Sequence, residues 1–209
     1  MHWYQYLSLG CLLVCFAACL WHLFRLIKLG NPKDLSQKKG NILQAQVYSC
    51  TTAMMPTHKE SAYLHIPTYT GGIFFHIGTF ICLAFFVLSF FVSPDLFPCW
   101  LKIALIGIIG VGTVSGFALF MKRFIIAKVR NLSNPDDYIS NLLTTLAQVA
   151  SLLYIYGECF AIYYYCIVSL LLLYIPVGKL RHVIYFFAAR YHLGYFYGWR
   201  NSWPPKMED

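Results

Sequence analysis

Apolar residues gather in five runs along this chain, at about 3–27, 71–92, 100–121, 138–156 and 159–176. At ~1.5 Å rise per residue, each is long enough as a helix to cross a hydrocarbon core of ~30 Å or nearly so. The fifth run is expected to continue past Pro176 to about residue 182, since neighbouring helices make an internal proline tolerable in a membrane. The pattern predicts an all-α integral membrane protein: one membrane domain over 1–209, built as a bundle of five transmembrane helices. The first run reads as a membrane helix and not as a signal peptide. His2 stands where a basic leader would sit, no small-x-small cleavage site follows, and the run outlasts a typical leader core.

The intervals between the runs are unequal. Ser93-Pro94-Asp95 opens one short loop and Gly157-Glu158 makes another, so the last two runs form an antiparallel hairpin. The long interval, 30–70, opens on the turn signal Asn31-Pro32-Lys33-Asp34. Its middle, 41–55, mixes apolar and polar residues as an interfacial helix does. Its length and apolar content mark it as a cytoplasmic docking loop. The tail, 185–209, begins with an aromatic-rich stretch carrying Arg190 and Arg200, suited to an amphipathic segment at the inner interface.

Charge adds orientation. Only 11% of residues are charged against 59% hydrophobic, which excludes a soluble domain. Fifteen of the 16 Lys and Arg lie at the end of or beyond the first, third or fifth run, on one side, and Lys102, near the start of the third, lies alone on the other. The positive-inside rule then predicts an outside N-terminus and a cytoplasmic C-terminus. The net charge of +8 is accounted for by topology and by attraction to anionic lipid or an acidic partner, with no role for nucleic acid.

The eight cysteines show no cluster spacing. Cys11, Cys15 and Cys19 share one helix face and read as small packing residues.

The histidines carry the candidate chemistry. His76 falls about five residues into the second run, ~7–8 Å below the interface. His182 lies six residues beyond Pro176. Two imidazoles at one depth on different helices meet the condition for axial haem ligation. Gly78 would admit a flat macrocycle, and Lys179 and Arg181 are placed to pair with its propionates. His22 in the first run reaches the same level and is a rival ligand. His58 and His65 belong to the loop, and His2 and His192 read as solvated or interfacial. Ordinary interfacial histidines bonded to loop carbonyls are the other reading of His76 and His182.

The residues around these histidines resemble a known group. Phe74-Phe75-His76-Ile77-Gly78 resembles the start of the second helix in the membrane gamma subunit of respiratory nitrate reductase. That b-type cytochrome superfamily also includes heterodisulfide reductase-like membrane cytochromes. Residues 112–123, closing on Lys122-Arg123, resemble the end of the family's third helix. Residues 174–182, with Pro176 six residues before His182, resemble its Phe-Pro…His ending of the fifth.

The resemblance implies His76 and His182 as the cytoplasmic-side ligand pair of a haem b. The family's outer pair falls here on Phe86 and Tyr164, so one haem is predicted and not two. Lys102 lies near a family lysine that helps to bind quinol, and reads equally as a snorkelling anchor. The function implied is electron transfer between the quinone pool and cytoplasmic iron–sulfur and catalytic subunits of a respiratory oxidoreductase. The setting would be a prokaryotic inner membrane, and this chain itself lacks substrate-level catalytic residues. A haem-free structural anchor of such a complex is the alternative.

Overall fold

The structure, a computed structural model, describes residues 2–29, 35–55 and 65–205. All regular structure among them is helical. In chain order the helices are α1 (Trp3–Leu29), α2 (Ile42–Cys50), α3 (Ile66–Leu88), α4 (Cys99–Ile125), α5 (Ala127–Leu132), α6 (Pro135–Tyr156), α7 (Ala161–Tyr174) and α8 (His182–Trp199). Single 3-10 turns lie at Thr52–Met54, Pro94–Leu96, Glu158–Phe160 and Lys179–Arg181. Four helices, α1, α3, α4 and α6, are long and apolar enough to cross a membrane, or five if the broken pair beginning with α7 is one span. The architecture is that of a multi-pass helical membrane protein.

Among the boundaries that differ from the sequence expectation, three turn on prolines. Helix α3 starts at Ile66 rather than 71, because Pro67 falls in its first turn, where a missing N–H breaks no helical hydrogen bond. Helix α6 starts at Pro135: Asn134 accepts from the Asp137 amide and Asp137 accepts from the Asn134 amide, a capping box with proline at the first helical position. The fifth run does not continue to His182. Helix α7 stops at Tyr174, and the Val177 and Gly178 amides both return to the Tyr174 carbonyl in a tight turn. Pro176 offers no N–H and crowds the preceding turn. A side chain at Gly178 would collide with the Tyr174 ring.

The chain divides into two units, 1–16 with 66–180, and 17–65 with 181–209. The first is a bundle of α3, α4, α6 and α7 with the opening turns of α1. Its innermost helix is α6, whose buried face carries Asp137, Ser140, Thr144, Gln148 and Ser151 with Asn141 and Thr145 beside them. Recurrence every three or four residues puts these on one stripe. Helices α3 and α4 bring small residues to that stripe. A Cβ on either Gly78 or Gly112 would stand 2.8 Å from the other's Cα. Gln148 lies over this contact, donating to the Thr79 hydroxyl at 2.8 Å and the Phe75 carbonyl at 3.2 Å. Ser151 meets the Cys82 thiol at 2.9 Å. Lipid tails are as apolar as a protein core, so close backbone approach and buried polar contacts hold such bundles together.

In the second unit α2 packs along α8. Asn41 caps α2 through the Gln44 amide, which confirms a helix within the mixed 41–55 segment. Gly194 and Gly198 let the helices touch: a Cβ on Gly194 would meet the Gln46 backbone, and one on Gly198 would meet Ala45 and Ile42. Ser49 donates to the Arg190 carbonyl at 2.9 Å, and Trp199 to that of Ser36 at 2.9 Å. His192 donates to the Leu26 carbonyl at 3.2 Å, tying α8 to the second half of α1. The turn signal at 31–34 and the loop residues around His58 lie outside the described residues.

Candidate functional site

His76 is the eleventh residue of α3, so it stands ~15 Å along the axis from the helix start rather than ~7–8 Å. Its side chain is exposed on the bundle surface, between the rings of Phe75 and Phe80. Nδ1 lies 2.6 Å from the Gly72 carbonyl one turn earlier. A carbonyl only accepts, so Nδ1 is the donor, and in the neutral ring the lone pair is then on Nε2. That tautomer and that second hydrogen bond are the ones metal-ligating imidazoles use.

Gly78, two residues on, points elsewhere. A step of ~200° around the helix separates it from His76, and its open face is filled by Gly112 and Gln148. It serves contact between helices and not the approach of a macrocycle.

His182 is the first residue of α8 and is exposed, in the second unit. Arg181 beside it lies over the Tyr185 ring, 5.6 Å from its centroid. His22, the rival, is half-buried on the part of α1 that belongs to the same unit. Among the described residues no three His, Cys, Asp or Glu side chains converge.

Lys179 has another engagement. Its ammonium bonds the Asp137 carboxylate, which is only 3% exposed and also faces the Arg123 guanidinium at 3.8 Å. The neighbouring Asp136 accepts from the Tyr174 hydroxyl. Sequence reasoning passed over this cluster because the apolar run was taken to begin at 138. Its legible signal was Asn134-Pro135-Asp136-Asp137, a helix start with acidic residues in the first turn.

Phe86 and Tyr164, where the family resemblance seeks outer ligands, are both fully buried, with centroids 6.2 Å apart. They belong to one cluster with Phe85, Tyr154 and Tyr165, in which Tyr154 stacks on Tyr164 at 4.8 Å.

At this end of the bundle a cavity of about 470 Å³ opens, lined by His2, Tyr4, Gln5, Ser93, Tyr154 and Glu158 with Phe90 and Phe91. Glu158 accepts from the Ser93 hydroxyl, and Gln5 donates to the Tyr165 hydroxyl at 3.3 Å. Lys102, half-buried in the first turn of α4, is not among the lining residues.

Comparison with models of known protein families, with curated proteins and with solved structures finds no match to this chain.

Proposed function

We propose that this chain is a haem b-carrying membrane anchor, passing single electrons between a quinone pool and cytoplasmic iron–sulfur and catalytic subunits of a respiratory complex. The observation that carries the reading is His76, an imidazole on a membrane-length helix whose Nδ1 proton is committed to the Gly72 carbonyl. An ionisable ring within a membrane-length helix is costly, which makes His76 a functional candidate. His182 is the second ligand on the strength of the sequence resemblance, and Arg181 the propionate contact. Lys179 is left to Asp137.

His76 and His182 would hold the haem iron, and haem when bound would supply a one-electron iron couple suited to electron transfer. The protein's part is to fix the His76 tautomer and ring plane through Gly72. The cavity beside Tyr154 and Glu158 offers hydroxyl donors and a carboxylate acceptor to a quinol head group, above an aromatic floor. The N-terminus is outside and the C-terminus cytoplasmic in this reading, in a prokaryotic inner membrane, with Lys102 as an interfacial anchor.

The test is the haem content of purified variants. His76→Ala and His182→Ala are expected to abolish haem while the protein still inserts, and His22→Ala to retain it. Loss in His22→Ala with retention in His182→Ala would reassign the second ligand. Haem-free protein isolated together with its soluble partners would favour the structural anchor.

A further inference from the structure

The charge of this chain is divided very unequally between its two units. The first holds six Lys and Arg against four Asp and Glu, and three of its six cations lie near acids or hydroxyls: Arg123 and Lys179 at Asp137, Lys122 at Thr68. The second holds ten Lys and Arg against four Asp and Glu, so +6 of the net +8 falls on 78 residues. No acidic residue occurs among its described residues. The cations are set among exposed apolar side chains along α8, where Tyr185, Phe187, Tyr191 and Phe196 are exposed. Arg190 lies over the Phe186 ring at 5.3 Å and Arg200 over Phe196 at 3.8 Å, as Arg181 does over Tyr185. Arg200 also donates to the Phe196 carbonyl at 3.1 Å, whereas a guanidinium stacked on a ring as those of Arg181 and Arg190 are can still present its N–H fork to a planar or tetrahedral oxyanion.

From this arrangement we infer that the α2–α8 pair is a headgroup platform for anionic phospholipid. Two observations select lipid over an acidic protein. The first is the interleaving of arginine with exposed aromatics, the composition of a helix seated at the level of lipid headgroups. The second is the tether: α1, a membrane-length helix, runs without a break into this unit and presents Trp21, Phe24, Arg25 and Lys28 on its exposed surface there. The platform is therefore held within reach of a bilayer surface, where each cation draws anionic lipid. The inference does not depend on haem and survives its absence.

The experiment uses the full chain with Trp199 as the only tryptophan, reconstituted in mixtures of phosphatidylcholine with brominated phosphatidylglycerol or brominated phosphatidylcholine. Quenching gives the preference of the platform for the anionic lipid. A preference of about fivefold or more at low salt is expected, falling toward parity in Arg181→Gln/Arg190→Gln, since one cation near the surface accounts for about fivefold. A reporter retaining only Trp100, in the first unit, is expected near parity. Parity at Trp199 would overturn the inference and leave the positive charge for an acidic protein. An unchanged preference in the double variant would overturn it too. Hydrogen exchange of the native chain supplies a readout free of substitutions. Amides of 182–199 are expected to exchange more slowly in nanodiscs containing phosphatidylglycerol, and equal rates would contradict the platform.

Discussion

Gly112 and Gly194 solve one geometric problem in two settings. Each lets a pair of helices come to backbone contact, Gly112 against Gly78 and Gly194 against Gln46. Around Gly112 the polar groups are turned inward: Gln148 is fully buried over the contact, and the stripe from Asp137 to Ser151 faces the other helices. Around Gly194 the buried Ser49 bonds the Arg190 carbonyl across the contact, but the arginine side chains are stacked on the rings of Tyr185, Phe186 and Phe196 along α8. A bundle in hydrocarbon has no water to drive its association, so it keeps its polar groups as internal contacts. A helix pair at a headgroup surface has water and phosphate to satisfy its polar groups, and can present them.

The sharpest way to break this contrast is to separate the helices. Gly112→Leu places a branched side chain where a Cβ alone meets backbone, and is expected to cost about 3 kcal/mol or more in a denaturation titration of the purified protein. Gly194→Leu meets equal crowding but should loosen only the second unit. Hydrogen exchange would then rise in 42–50 and 182–199 while α3, α4 and α6 stay protected. A global collapse from Gly194→Leu would show that the units are not separable.

Asp137→Ala comes next. It removes the carboxylate facing Arg123 and Lys179 and one side of the α6 capping box. A loss of about 2 kcal/mol is expected, below that of a fully buried pair because Lys179 is half exposed. Unfolding of Asp137→Ala against Asp137→Asn, which keeps a cap acceptor, separates the two contributions. Gln148→Leu is a milder change. It deletes two hydrogen bonds but also the Oε1 atom that is buried with no partner, so about 1 kcal/mol is expected from the same titration. At the small end, Gly107→Ala adds a methyl where nothing lies within 4 Å. It should stabilise by about 0.5 kcal/mol through the helical preference of alanine.

Much of the fold was legible because length and apolarity alone decide which segments become membrane-length helices. Four of the five runs appear as such helices, and the mixed 41–55 segment holds a short one. What was not legible turned on prolines. Pro67 and Pro135 were read as loop residues, although a proline in a first turn extends a helix backward by filling a position that needs no donor. Pro176 was read as a tolerated kink, yet with Gly178 two residues later and Tyr174 folded against it, the helix ends.

The candidate site was legible only as a list of histidines. Spacing placed His76 on a helix but not its bond to Gly72, and it drew Gly78 to the wrong side of α3. The buried stripe of α6 was hidden for another reason. Serine, threonine and glutamine every three or four residues make this run the least apolar of the four membrane-length helices yet leave it apolar enough to span, and only packing shows that they face inward.

The measurement that bears most directly on the proposed function is the haem-to-protein ratio of the purified chain, by pyridine haemochrome with a reduced-minus-oxidised spectrum, beside His76→Ala. The account predicts a ratio near one with a low-spin b-type band, and its loss in the variant. A haem-free native chain, or a variant that keeps the band unchanged, would contradict it.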